Sequence, residues 1–194
     1  MFKHRISDLK FRIDKLVPAD VCKYFIDFYE KNTKHATPED SYKFQTKQKS
    51  WDNYRCINLT QLYERDKTFL KPLDLAKRYI TLMITNYSLY IQREICSTYD
   101  MNLISNSYNI RILKYEKGQS IKDHIDVTGT IRASCTLNLN EDYEGGEFRF
   151  FNGQEKITLK TGDALIFPAE PIWIHGTEPI TKGVRYSINC FLHF

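Results

Sequence analysis

Two histidines and an aspartate in this chain have the types and spacing to hold a metal ion: His124 and Asp126, one residue apart, and His175 about fifty positions later. In an extended segment residues two apart point to the same side, so His124 and Asp126 can reach one ion together. Asp126 would supply a carboxylate oxygen and the histidines neutral imidazole nitrogens. Two imidazoles and one carboxylate cover one face of an octahedral ferrous ion and leave the other face open for a co-substrate and dioxygen. A catalytic zinc ion more usually takes three protein ligands and activates one water, and no other pattern here is that of a hydrolase. The spacing alone is undemanding. The chain has five histidines, His4, His35, His124, His175 and His193, and a His-x-Asp on a solvated loop is the ordinary case.

Arg185, ten residues after His175, sharpens the pattern. From there the chain alternates, with Arg185, Ser187, Asn189 and Phe191 on one face and Tyr186, Ile188, Cys190 and Leu192 on the other. Burying an arginine and an asparagine costs on the order of several kcal/mol unless they find partners. A dicarboxylate ligand is such a partner, because a guanidinium matches a carboxylate with paired donors and the Ser187 hydroxyl can add a bond. Residues 131–139 repeat the design: Ser134, Thr136 and Asn138 against Cys135, Leu137 and Leu139. Two strands with polar inner faces predict a lined cavity. For either strand alone, a sheet with one wet face is the alternative.

The elements that must position these side chains divide near residue 105. Residues 19–32 carry Val21, Tyr24, Phe25, Phe28 and Tyr29 at helical spacing behind Pro18 and Asp20, which predicts an amphipathic helix. Pro72 opens a second helix, running to Ile95, with Ala76, Tyr79, Ile80, Met83, Ile84, Tyr87, Ile91 and Ile95 as its apolar stripe. Residues 33–55 between them are polar and aperiodic, a long loop by default and a lid over the site as the functional alternative. Beyond residue 107 short apolar runs separated by Gly, Asn and Asp predict antiparallel strands at 107–115, 131–139, 147–151, 156–160, 163–167, 171–175 and 185–193. Such a series forms a sandwich or small barrel.

A chain of 194 residues is expected to form a single domain, with 1–105 as helical support and 106–194 as the chemical half. Its net charge of +4 comes from interspersed acids and bases, so no dedicated nucleic-acid patch is legible. Five cysteines, Cys22, Cys56, Cys96, Cys135 and Cys190, are odd in number and widely spaced, the pattern of reduced thiols in a cytoplasmic compartment. The N-terminus lacks the continuous apolar run of a signal peptide, and the 73–95 stretch carries Asp74, Lys77, Arg78, Arg93 and Glu94, so no membrane partner is expected.

The order Tyr115, His124-x-Asp126, GGEFRF at 145–150, GDALIF at 162–167, His175 and Arg185-x-Ser187 resembles the iron(II)- and 2-oxoglutarate-dependent dioxygenases. The similarity is greatest to the prolyl 4-hydroxylase and lysyl hydroxylase group and covers about residues 107–194. It implies a mainly β fold, a double-stranded β-helix (jelly-roll, cupin-like) core with supporting N-terminal helices. It also implies Fe(II) held by His124, Asp126 and His175, and 2-oxoglutarate whose distal carboxylate meets Arg185, with help from Tyr115. Ser187, Thr136, Asn138 and Asn189 are the further candidates for lining that co-substrate pocket. Collagen-type prolyl hydroxylases usually carry lysine where this chain has Arg185, while lysyl and oxygen-sensing hydroxylases use arginine. A tyrosine of the oxygen-sensing enzymes is absent on the strand of Thr136 and Asn138, where Asn138 stands in its stead.

The implied reaction is hydroxylation of a peptidyl proline, or of a lysine, with O2 consumed, succinate and CO2 released and ascorbate as a supporting reductant. The implied partner is a protein or peptide, and the state a monomer or homodimer. The alternatives are an oxygenase acting on a nucleic-acid base or a small molecule, and a catalytically silent binding module. Oxidation of a base would need a basic, aromatic groove, for which Lys43, Lys47, Lys49 and Trp51 are the clustered candidates. Tyr42, Phe44 and Trp51 are the aromatic residues a lid would bring.

Overall fold

The computed structural model describes residues 4–38, 54–126 and 129–193. A 3-10 turn, Ile6–Leu9, leads into strand β1, Phe11–Ile13, and then helix α1, Ala19–Lys31, begins directly after Pro18. Cys22, Phe25 and Tyr29 recur at three- and four-residue steps and form its buried stripe. Strand β2 is Thr37–Pro38 and β3 is Arg55–Asn58. Helix α2, Leu59–Arg65, is capped by Asn58, whose side chain accepts from the Gln61 amide. Helix α3, Leu70–Tyr90, has Pro72 in its first turn, and a π-helical turn at Ile91–Ile95 carries it to the predicted end. Strands β4 (Asn106–Tyr115), β5 (Ala133–Asn138), β6 (Glu144–Gly145), β7 (Phe148–Phe150), β8 (Glu155–Ile157) and β9 (Ala164–Pro168) follow, then β10 (His175–Thr177), β11 (Ile180–Lys182) and β12 (Arg185–His193).

Seven strands form one antiparallel sheet in the order β1-β9-β5-β12-β4-β3-β2, three form a small sheet in the order β10-β7-β8, and β11 pairs with β6. One face of the large sheet is apolar. Ile110, Ile112, Cys135, Leu137, Ile166, Ile188, Cys190 and Leu192 pack there against Phe25, Ile80, Met83 and Tyr87 of the helices. The other face looks toward the small sheet, where Leu165 and Phe167 of β9 share a core with Phe148, Phe150 and Trp173. The alternation predicted for β5 and β12 therefore holds, and their polar rows lie between two sheets. Register aligns those rows: Ser187 is opposite both Asn138 and Leu113, Asn189 is opposite Thr136, and Arg185 is opposite Tyr115.

Three expectations need correction. The strand predicted at 171–175 is instead β10, which His175 opens, because Trp173 N donates to Glu170 O at 2.9 Å and closes a turn. Its apolar residues read as a strand since Trp173 is buried in the second core. The aperiodic segment 33–55 is not all loop. Its ends form a 3-10 turn at Thr33–His35, β2 and the start of β3, elements too short to show a period. Residues 39–53, with Tyr42, Lys43, Phe44, Lys47, Lys49, Trp51 and any lid, lie outside the described residues. Helix α2 and strands β1, β6 and β11 were not expected; β1 adds an edge to β9 through Phe11 opposite Ile166.

Candidate metal centre and its pocket

Three side chains meet where the loop after β4 crosses β10. His124 and His175 form an antiparallel bridge, each amide donating to the other's carbonyl at 2.9 and 3.0 Å. That pairing sets their imidazoles side by side, with ring centroids 4.3 Å apart. Asp126, two residues on, points to the same side, with Oδ1 3.1 Å from His124 Nε2 and Oδ2 3.3 Å from His175 Nε2. Each Nδ1 donates to a backbone carbonyl, Lys122 for His124 and Trp173 for His175, both at 2.9 Å. In the neutral rings the lone pairs are then on Nε2, beside the carboxylate.

One ligand atom from each of the three residues lies within 4.8 Å of the others. Two imidazole nitrogens and a carboxylate oxygen converging from one side suit a ferrous ion with open positions opposite. Ser134 of β5 donates to Asp126 Oδ2 at 2.5 Å and so ties the centre to the polar row of the large sheet. Burial would push the Asp126 carboxyl up, but the imidazoles of His124 and His175 set against it hold it well below the usual carboxylate range. His175 is wedged against Phe167 and Phe150, at ring distances of 4.6 and 6.0 Å.

A line of ring contacts runs from His175 through Phe150 and its neighbour Phe148 to Arg185. Arg185 is 2% exposed, and among the described residues no acidic group pairs with it. Its Nε donates to Asn138 Oδ1 at 3.0 Å and its Nη1 to the Gly146 carbonyl at 3.1 Å; neither bond uses Nη2. The rings of Phe148, Tyr115 and Tyr143 surround the guanidinium at 5.0, 5.4 and 6.0 Å. A buried cation with polar and aromatic neighbours but no acidic partner among the described residues has the chemistry to receive an anion.

The predicted pocket residues fall into two groups. Arg185, Tyr115 and Asn138 sit together, but Asn138 is committed to the protein. Its Nδ2 donates to the Asn140, Leu159 and Lys160 carbonyls, which turns its oxygen toward Arg185. Thr136 and Ser187 both donate to Asn189 Oδ1, at 2.8 and 3.0 Å, and form a linked polar floor. Sequence reasoning missed Tyr143, Tyr54 and the Gly146 carbonyl, and placed Ser134 on the polar row without joining it to Asp126. Tyr54 packs on Tyr115 at 4.5 Å, and Tyr143 donates to Asn138 Oδ1 at 3.3 Å. The alternation with Thr136 and Asn138 showed which way Ser134 faces but not that Asp126 lies there; Tyr54 and Tyr143 carried no periodic signal.

Residues 110–193 match the family model described as the 2OG-Fe(II) oxygenase superfamily. The matched stretch runs from within β4 to the end of β12. The 2OG-Fe(II) oxygenase family implies Fe(II), 2-oxoglutarate and O2, and the His-Asp-His cluster lies inside the matched residues. A PKHD-type hydroxylase of Synechococcus sp. is 30% identical over 92 residues, covering 41% of this chain. One of Methylobacterium nodulans is 34% identical over 90 residues, covering 38% of it. The chain spans about two fifths of the length of these relatives, 40% and 38%. A Pseudomonas putida prolyl-4-hydroxylase superposes with a TM-score of 0.66 at 16% identity, over 97% of this chain and 96% of that one. A Trichoplax adhaerens prolyl hydroxylase, solved with a hypoxia inducible factor peptide fragment, gives 0.68 at 12% identity, over 96% and 84%. The fold is accordingly the jelly-roll of the 2OG-Fe(II) oxygenases, as the resemblance implied.

Proposed function

We propose that this chain is an Fe(II)- and 2-oxoglutarate-dependent hydroxylase of a prolyl residue in a protein or peptide, with a lysyl residue as the second choice. The observation that carries the reading is the buried Arg185, without an acidic partner among the described residues, joined to His175 of the His124, Asp126 and His175 cluster through the rings of Phe148 and Phe150. When bound, iron supplies activation of O2 coupled to oxidation of 2-oxoglutarate to succinate and CO2. The chain's residues do the rest. His124 Nε2, Asp126 and His175 Nε2 hold the ion from one side and leave the other accessible. Arg185 receives the distal carboxylate of 2-oxoglutarate, Tyr115 lines its approach, and Thr136, Ser187 and Asn189 present hydroxyl and amide groups along it. Asn138 orients Arg185 through its Oδ1. Phe148, Phe150 and Phe167 exclude water around these groups, which strengthens each charge interaction inside.

A peptidyl substrate is supported by the peptide fragment held in the Trichoplax adhaerens structure, which shares this fold. The test combines the protein with Fe(II), 2-oxoglutarate, ascorbate and, in separate reactions, proline-rich peptides, lysine-rich peptides and single-stranded DNA. Succinate release and the gain of one oxygen atom by mass spectrometry are the readouts. Oxygen on the proline-rich peptide is expected. Oxygen on DNA alone would replace the substrate class, and absence of 2-oxoglutarate turnover under all conditions would return the chain to a binding module.

A further inference from the structure

On the face of the small sheet turned away from the ligands, Asp123, Gly176 and Arg149 stand in line across three chain segments. Gly176 of β10 lies opposite Arg149 of β7. The segment of Asp123 is bound to the other side of β10 by the His124–His175 bridge and by Thr177 N donating to Ile121 O at 2.8 Å. Arg149 Nε donates to Asp123 Oδ1 at 2.8 Å, so this ion pair spans β10 from one side to the other. The carboxylate lies in the space a side chain at 176 would need: a Cβ there would be 2.7 Å from Asp123 Oδ1 and 2.7 Å from Ile121 O. Gly176 is not among the positive-φ glycines, so its backbone does not demand glycine; the crossing does. The second arm of Arg149 is held as well, Nη1 lying 3.5 Å from Glu178, which Lys156 meets at 2.7 Å.

Ahead of Asp123 the ligand segment is anchored by Ile121, whose amide donates to Thr177 Oγ1 at 2.9 Å and whose carbonyl accepts from Thr177 N at 2.8 Å. From Asp123 onward its ties include the two His124–His175 amide bonds, the Ser134 bond to Asp126 and the Arg149 pair. Both partners of the crossing pair are partly solvated, at 21% and 36% side-chain exposure, and pairs of that kind add little to global stability. Metal binding asks for more, because three donors must meet one ion within a few tenths of an ångström.

We propose that Arg149 is a positioning residue for the metal centre. Its bond to Asp123, passing over Gly176, buckles the segment of His124 and Asp126 onto the strand of His175 and thereby sets the affinity for the ion. This rests on the metal-centre reading above. The test titrates the full chain anaerobically with Mn(II), followed by calorimetry, for the wild type, Asp123→Asn, Arg149→Gln, the double variant and Arg149→Lys, with His124→Ala as the control for the site. Thermal unfolding of each metal-free protein is measured alongside. One ion per wild-type chain is expected, lost in His124→Ala. Each single variant should bind about tenfold more weakly, the low end of what loss of a group supporting the ligands costs. The double variant should bind no more weakly than either single one, Arg149→Lys should recover part of the loss, and the metal-free midpoints should stay together. Variants that bind like the wild type, or single losses that multiply in the double variant, overturn the buckle alone. A wild type that takes up no ion overturns the metal centre and the buckle with it.

Discussion

Arg185 and Ser134 mark the two ends of the polar row, and each supports a distinct substitution. Replacing Arg185 removes the charged donor proposed for the distal carboxylate, and hydrogen bonds to charged groups contribute about 1.5–3 kcal/mol each. Arg185→Ala should therefore raise the KM for 2-oxoglutarate by about ten- to a hundredfold, while Mn(II) affinity measured without co-substrate stays within about twofold. An unchanged 2-oxoglutarate dependence would take Arg185 out of the pocket's chemistry. Ser134→Ala removes the hydroxyl that donates to Asp126 Oδ2 and should show the reverse, weaker Mn(II) binding by about tenfold with little change in the co-substrate term. The candidate ligands and Arg185 were legible in the sequence because their types are chemically costly where they occur. The use of Asn138 was not, since which carbonyls its amide meets depends on Leu159 and Lys160, distant in sequence and brought close only by the fold.

At the scale of elements, legibility followed length. Strands β4, β5 and β12 are six to ten residues long and show their alternation, whereas β2 and β6 are two residues each and β11 three. A period of two needs several repeats to be seen, so the short strands became visible only through their partners. The Gly145-Gly146 corner illustrates what such a short element does. Gly146 has φ +72°, a Cβ there would meet Ile180 Cδ1 at 2.6 Å and Arg185 Cδ at 3.4 Å, and its carbonyl holds Arg185 Nη1. Gly153 is the matched comparison, with φ +83° and nothing within 4 Å of an added Cβ. Gly153→Ala should cost about 1–2 kcal/mol of stability, the penalty of the left-handed region, with unaltered 2-oxoglutarate KM. Gly146→Ala should cost more and raise that KM as well, because the corner then displaces the carbonyl from the guanidinium. Equal behaviour of the two variants in urea unfolding and in co-substrate titration would remove β6 from the pocket's support.

The whole molecule carries a pH dependence through its buried thiols and phenols. All five are free thiols, and Cys22, Cys56, Cys135 and Cys190 are buried while Cys96 is exposed. Among the described residues, no helix is long and apolar enough to cross a membrane. Burial pushes the Cys22 thiol up from 9.0 to about 11, and burial beside Cys190 pushes Cys135 well above its ordinary value. Burial likewise raises the phenols of Tyr29, Tyr87 and Tyr186. In the unfolded chain these groups release their protons at ordinary values, so above about pH 9 the unfolded state binds fewer protons than the folded one and stability falls as pH rises. The thiol contribution is fully present below 9.0 and is lost on the way to about 11. Urea midpoints measured from pH 7.5 to 10.5, with a reductant present, should be level up to about 8.5 and then decline. Cys96 separates this from simple thiol chemistry, because hydrogen bonds from the Thr98 side chain and backbone lower its value. At pH 8 a thiol-alkylating reagent should modify Cys96 first in the folded protein and reach the four buried thiols only after urea unfolds it. Midpoints that rise with pH would mean the buried thiols and phenols are ionised in the folded core, contrary to the packing that surrounds them.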